Sequence, residues 1–195
     1  RAYIIPRDQA DFPTAVKFIN TLVKSGIAIH RATADFMVAG KNYPAGSYIV
    51  KTAQAFRPFV LDMFEPQDHP NDFLYAGGPP VAPYDSAGWT IAYQMGVKFD
   101  RILDGFDGPF ERLPWGQLQN PPAGTVGTGT GGWLVSHRAN NSFILLNRLL
   151  KAGADVYWLK TPPAGHPGFG AGSLYIPASE SAKPIVAQAA AELGL

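Results

Sequence analysis

The sequence contains no cysteine, and this excludes several kinds of chemistry at once. Without a thiol, the chain forms no disulfide, no thiolate metal site and no cysteine nucleophile. An excess of charge is also missing, because 16 basic residues stand against 15 acidic ones and the net charge is +1. No basic run stands out, so the sequence predicts no binding to nucleic acid.

Long hydrophobic runs are missing as well. The longest apolar stretches, such as residues 142–150, are too short to cross a bilayer, and this one is interrupted by Asn147 and Arg148. The sequence therefore predicts no membrane span. The chain begins at Arg1 and leads directly into an apolar strand pattern. We accordingly expect a piece of a longer polypeptide, with any targeting signal upstream.

Sequence motifs for metals and cofactors are equally scarce. The four histidines are scattered: His30, His69, His137 and His166. None forms H-x-x-E, H-E-x-x-H or a close H-x-H pair, whereas catalytic zinc needs three converging ligands and an open position. Residues 127–132 contain G-x-G-x-x-G, but these glycines precede a strand instead of following one, which is typical of a linker. We therefore predict no metal and no cofactor in this chain.

What the sequence does contain is an internal repetition. Two segments each show the order strand, helix, strand, strand, helix, and they share short matching runs. LVKSG at 22–26 matches LLKAG at 149–153, and AGS at 45–47 matches AGS at 171–173. These matches keep an offset of 127 or 126 residues, which indicates a duplicated β-α-β-β-α unit.

A polar run at 136–141 is the first candidate site, because it follows a strand pattern and precedes a helix pattern. The candidate binding residues in this run are Ser136, His137, Arg138 and Asn140. A serine beside a histidine also permits a hydrolase that uses a carboxylate such as Asp85, although the G-x-S-x-G elbow is missing. Capping of the following helix by Asn140 or Asn141 is the structural alternative.

Aromatic residues of the middle segment form the second candidate site. They are Tyr84, Trp89, Tyr93, Phe106, Phe110 and Trp115. Exposed, they would suit a sugar or a partner protein, and Trp89 is the candidate binding residue among them. Buried, they would cover the seam between the two repeats.

Several runs in the first half of the chain are distinctive. YPAGSYIV at 43–50 and PYDSAGWT at 83–90 are the longest, and shorter ones lie at 57–59, 65–67 and 94–97. Together they resemble the region downstream of the catalytic domain in large bacterial zinc carboxypeptidase-like proteins of the carboxypeptidase A type. The resemblance is strong over the first half and continues over the rest by element order.

This resemblance implies a fold and a division of the chain. It implies a three-layer α/β domain, flavodoxin-like or class I glutamine-amidotransferase-like, with helices on both faces of the sheet. We expect residues 1–195 to form this single domain, as a repeat unit at 2–66, a middle segment at 67–132 and a second repeat unit at 133–195. The family's cysteine nucleophile is missing here, and its zinc motif lies in the preceding peptidase domain, so no catalytic residue is carried over.

The predicted function is that of a non-catalytic accessory domain in a zinc carboxypeptidase-like protein. It would support the preceding peptidase domain of the same polypeptide, or bind peptide or cell-wall glycan, and zinc is expected only upstream. The resemblance implies a secreted or periplasmic location. A serine-hydrolase-like enzyme using Ser136 and His137 and a carbohydrate-binding module stay open as alternatives.

Overall fold

The fold is described from a computed structural model, which covers residues 1–66, 70–82 and 90–195. Internal contacts divide the chain into two units. Unit 1 comprises Arg1–Arg7 and Phe18–Gln117, and unit 2 comprises Asp8–Lys17 and Leu118–Leu195. Each unit has its own sheet and its own apolar cluster.

Helix α1 (Phe12–Lys24) begins in the residues of unit 2 and ends in those of unit 1. The other elements of unit 1 are β1 (Ala2–Ile5), β2 (His30–Ala32), β3 (Phe36–Val38), β4 (Lys41–Tyr43), β5 (Tyr48–Lys51), α2 (Arg57–Phe64), α3 (Ile91–Gln94), β6 (Asp100–Ile102) and β7 (Phe110–Arg112). Those of unit 2 are β8 (Gly132–Val135), α4 (Asn141–Lys151), β9 (Tyr157–Trp158), β10 (Leu174–Pro177) and α5 (Ala182–Leu193).

The sheet of unit 1 has five strands in the order β6-β1-β5-β2-β7, and every neighbouring pair is antiparallel. One face carries Tyr3, which stacks on Phe64 of α2 with ring centroids 4.2 Å apart. The opposite face carries Ile4 and Ile49, and the separate β3–β4 hairpin packs there through Tyr43. Side chains therefore alternate between two apolar layers along each strand.

The sheet of unit 2 has three antiparallel strands in the order β8-β10-β9. Its apolar cluster joins the sheet to helices α4 and α5 through Ile176, Leu149 and Val186, all of them buried. A local signal shapes the start of α5. Ser179 accepts a hydrogen bond from the Ala182 backbone N–H at 3.1 Å, as a serine that caps the start of a helix does.

The two units pair three strands in the same order and register. In unit 1, β5 lies between β1 and β2, and in unit 2, β10 lies between β8 and β9. In unit 1, His30 lies opposite Ile49, and in unit 2, Tyr157 lies opposite Tyr175. Tyr157 comes 127 positions after His30, and Tyr175 comes 126 positions after Ile49, which are the offsets of the matching runs. The runs that match in the sequence therefore occupy corresponding places in the two sheets.

The predicted flavodoxin-like or glutamine-amidotransferase-like sheet with three layers is wrong. Such a sheet needs neighbouring parallel strands joined by crossover helices. In unit 1, the strands that flank α1 are not neighbours, because β5 returns between them and pairs antiparallel with both. The order strand, helix, strand in the sequence is typical of a parallel crossover. The topology is instead decided by β5, which comes later in the chain and pairs between β1 and β2.

Candidate ligand-binding site

A cavity of about 840 Å³ lies within unit 2. All four residues of β8 line it, together with the glycine-rich segment before β8 and one side of helices α4 and α5. The remaining lining residues come from the start of α1 and the residues before it, from the segment between β8 and α4, from the loop between β9 and β10, from β10 and from the residues that follow α5: Ala10, Pro13, Ser136, Ala139, Leu159, Pro163, His166, Phe169, Tyr175, Gly194 and Leu195. None of the described lining residues is Asp, Glu, Lys or Arg, so the site suits an uncharged ligand.

Specific hydrogen bonds hold the glycine-rich wall of this cavity. The Gly124 backbone N–H donates to the Ala190 carbonyl at 2.8 Å, and the Tyr175 hydroxyl donates to the Gly131 carbonyl at 2.9 Å. Gly132 has φ of 144°, and a Cβ there would collide with the Ile176 carbonyl oxygen. Only glycine fits this last position, where the wall becomes strand β8. The predicted linker is thus part of the site.

Ser136 lines the cavity, but its neighbour His137 does not. The Ser136 hydroxyl oxygen accepts a hydrogen bond from the Arg138 backbone N–H at 3.2 Å. The His137 ring lies against Gly172, where an added Cβ would be 3.3 Å from its Cε1 atom. Among the described hydrogen bonds, none joins Ser136 to His137, so the predicted nucleophile and base are not arranged as a pair.

Asn140 lies outside the cavity lining and has a structural role. Its backbone N–H donates to Asp11 Oδ2 at 3.0 Å, and its Nδ2 donates to the Thr14 hydroxyl at 3.1 Å. The neighbouring Asn141 is buried and its Nδ2 donates to the Leu193 carbonyl at 2.7 Å. Neither side chain caps α4, so that prediction is wrong: these asparagines tie the start of α4 to other elements of unit 2.

The other predicted site residues are dispersed. His137 and Arg138 are exposed, and Asp85 and Trp89 lie outside the described residues, as do His69 and Tyr84. His166 is exposed and lines the cavity, which the sequence alone did not indicate. Within residues 1–66, 70–82 and 90–195, no three His, Asp or Glu side chains are grouped closely enough to hold a metal ion.

The four candidate aromatic residues of the middle segment that the structure describes do not form one exposed platform. Phe106 and Phe110 are partly buried and pack edge to face against each other beside the apolar cluster of unit 1. Tyr93 and Trp115 are 59% and 73% exposed. Tyr93 packs against Phe99, whereas Trp115 lies beside Gly26 with Phe56. These described aromatics thus belong to different surroundings.

His30 lies on β2 of unit 1, away from the cavity lining, and its Nδ1 is buried without a hydrogen-bond partner among the described residues. Burial lowers the pKa of His30, and the positive charges of Lys51 and Arg112 lower it further. His30 in the folded protein therefore binds a proton less readily than His30 in the unfolded chain, whose pKa has the ordinary value of 6.5.

This difference predicts a pH dependence of stability. The stability that neutral His30 contributes is complete above about pH 6.5 and is lost as the pH falls from there through the lowered pKa of the folded state. Urea denaturation across this range should show a declining midpoint, and His30→Gln should flatten the decline. The matched change of exposed His166→Gln should leave the decline intact. An equally steep decline in the His30→Gln variant would contradict the prediction.

Comparisons of the chain with protein families, with curated proteins and with solved structures each find no match. The longest described helix is α1, with 13 residues. Within the described ranges, no helix has the length and apolarity needed to cross a membrane.

Proposed function

We propose that unit 2 binds an apolar, uncharged segment of a peptide in its cavity. The observation that carries this proposal is the composition of the lining, which is apolar apart from backbone groups, hydroxyl groups and the exposed His166. Its volume of about 840 Å³ has room for several side chains of a peptide. Trp133, Tyr175 and Phe169 supply aromatic surface for such side chains.

The wider role proposed is that of a non-catalytic accessory domain in a zinc carboxypeptidase-like protein. The runs at 43–50 and 83–90 support this context by their resemblance to that family. In this proposal the partner is the preceding peptidase domain of the same polypeptide, and the location is secreted or periplasmic. In this proposal any zinc is held by the upstream peptidase domain. The complete reading frame should then encode an H-x-x-E peptidase domain before Arg1.

No described hydrogen bond joins Ser136 to a histidine or to a carboxylate, which favours binding over hydrolysis. Tyr93, Phe106 and Trp115 lie in different surroundings, which favours a peptide over a glycan. Neither alternative is supported by a specific contact in the described residues.

A cavity-filling variant tests the proposed function. The probe is a blocked peptide of alternating valine and threonine with a lysine at each end for solubility, titrated by calorimetry. Gly127 lines the cavity, has no positive φ, and has open space where a Cβ would lie. Gly127→Phe should therefore fold normally and weaken binding at least about tenfold, which corresponds to about 1.4 kcal/mol.

The matched control is Gly105→Phe in unit 1, where the added Cβ also meets open space. It should bind the peptide as tightly as the original chain does. Equal binding by both variants, or no binding by the original chain, would exclude the cavity as a peptide site.

A further inference from the structure

Strand β8 is an edge strand among the described residues of unit 2, whereas its counterpart in unit 1 is not. In unit 1, β1 is flanked by β5 on one side and by β6 on the other. In unit 2, β8 is flanked by β10 alone, and each of its four residues is partly exposed. The position that β6 occupies in unit 1 therefore has no equivalent strand in the sheet of unit 2.

The register shows which backbone groups of β8 point away from β10. The Ala178 N–H donates to the carbonyl of Gly131, the residue directly opposite in this register, at 3.3 Å. Hydrogen-bonded pairs alternate along an antiparallel ladder, so Trp133 also directs its backbone groups toward β10. Gly132 and Leu134 direct theirs away from β10, toward the open edge. An open edge of this kind is a template for another strand.

The same alternation in unit 1 shows how such an edge is used. There, the Thr52 N–H donates to the Arg1 carbonyl at 3.1 Å, which directs the backbone groups of Ala2 and Ile4 away from β5. These two residues lie opposite Ile102 and Asp100 of β6. Ala2 and Ile4 hold the register positions that Gly132 and Leu134 hold in unit 2. The equivalent edge thus takes an antiparallel strand in unit 1.

The cavity lies along this edge and not along the opposite one. All four residues of β8 line it, whereas β10 contributes only Tyr175 and β9 contributes none. Val186 of α5 lines the cavity and belongs to the cluster between sheet and helices. Tyr175 follows buried Leu174 on the strand, so it points to the other face of the sheet. An added strand, whose side chains alternate between faces, would meet apolar surface on both sides.

We infer that the cavity receives an extended, uncharged peptide, which adds to β8 as an antiparallel strand just as β6 adds to β1. The backbone of this peptide exchanges hydrogen bonds with Gly132 and Leu134, and its side chains fill the cavity in alternation. This inference rests on the proposed function, because it names how the same site holds a peptide.

Backbone methylation of the peptide tests this binding mode on the unaltered protein. Two versions of the valine–threonine peptide carry N-methyl groups, one on every valine and the other on every threonine. The valine face and the threonine face of this peptide differ, so one register of the added strand is preferred. In that register, only one of the two sets of N–H groups faces β8. One version should lose binding at least about tenfold, because its hydrogen bonds to β8 are blocked, and the other should retain most of it.

A variant of β8 tests the same mode from the side of the protein. Leu134→Pro removes an outward N–H, which an edge strand tolerates, and Leu134→Ala shortens the same side chain but keeps that N–H. The proline variant should bind the unmethylated peptide at least about tenfold more weakly than the alanine variant. Circular dichroism checks that both variants are folded. If the proline variant is unfolded, the binding of the two methylated peptides to the unaltered protein decides whether the peptide adds to β8 as a strand.

The outcomes separate this inference from the proposed function. Binding that is insensitive to both methylation patterns, yet weakened by Gly127→Phe, overturns strand addition and leaves the peptide site in place. Failure of the unmethylated peptide to bind overturns both. Loss of binding with one methylated version only, together with weakening by Leu134→Pro relative to Leu134→Ala, supports strand addition to β8.

Discussion

Replacing Phe64 with alanine is expected to lower the free energy of unfolding of unit 1 by about 3–5 kcal/mol. Phe64 is fully buried and lies at the centre of an aromatic cluster. Its ring stacks on Tyr3 at 4.2 Å and meets Phe18 and Phe99 edge to face at 5.1 Å and 5.0 Å. The substitution leaves a cavity on one face of the five-stranded sheet and removes three ring contacts.

The matched control is Phe59→Ala on the same helix, where the ring is exposed. It should cost clearly less than Phe64→Ala, because the Phe59 ring is 36% exposed in the folded protein and Phe64 is fully buried. Urea denaturation followed by circular dichroism measures both variants. Similar losses for the two phenylalanines would show that the aromatic cluster of unit 1 does not carry the stability assigned to it.

Replacing Leu149 with alanine is expected to destabilise unit 2 by about 2–5 kcal/mol. Leu149 is fully buried on α4 and belongs to the cluster that joins this helix to Ile176 of β10 and Val186 of α5. Because Leu149 is fully buried, the substitution leaves a cavity, and the loss should be much larger than that caused by truncating an exposed leucine.

The next residue supplies a control of the same type and helix. Leu150 is 56% exposed, so Leu150→Ala should change the unfolding free energy by less than about 1 kcal/mol. Leu149 does not line the cavity, so the peptide should bind the folded Leu149→Ala variant with nearly unchanged affinity. A large loss with Leu150→Ala, or a negligible one with Leu149→Ala, would contradict the packing described for unit 2.

The helices were predictable because their signals are local. Asp11 accepts a hydrogen bond from the Thr14 N–H at 3.1 Å, as an N-cap residue at the start of α1 should. Gly26 and Gly153, the glycines that follow α1 and α4, have φ of 79° and 72°, which glycine adopts readily at a helix end. In both places the chain closes with backbone bonds, from Ile27 to Leu22 and from Ala154 to Leu149 at 3.0 Å.

The candidate site was predictable only in part. The polar run at 136–141 does follow a strand, and Ser136 does line the cavity. Its asparagines, however, bond to Thr14 and Leu193, far away in the sequence, and not to the first turn of α4. The glycine-rich segment, predicted to be a linker, lines the cavity, because its bonds to Ala190 and Tyr175 join residues that are distant in the sequence.

By itself, the sequence determined where α1 and α5 begin and where α1 and α4 end, because capping side chains and terminal glycines act between neighbours in the chain. Only the tertiary structure decided that β5 and β10 lie in the middle of antiparallel sheets, and not in a parallel flavodoxin-like one. It also decided that β1 has two neighbouring strands, β5 and β6, whereas β8 has only β10 as a neighbour among the described strands. Strand pairing joins residues that are distant in sequence, and its hydrogen bonds use backbone groups that every residue type but proline carries, so side-chain patterns do not specify the partner.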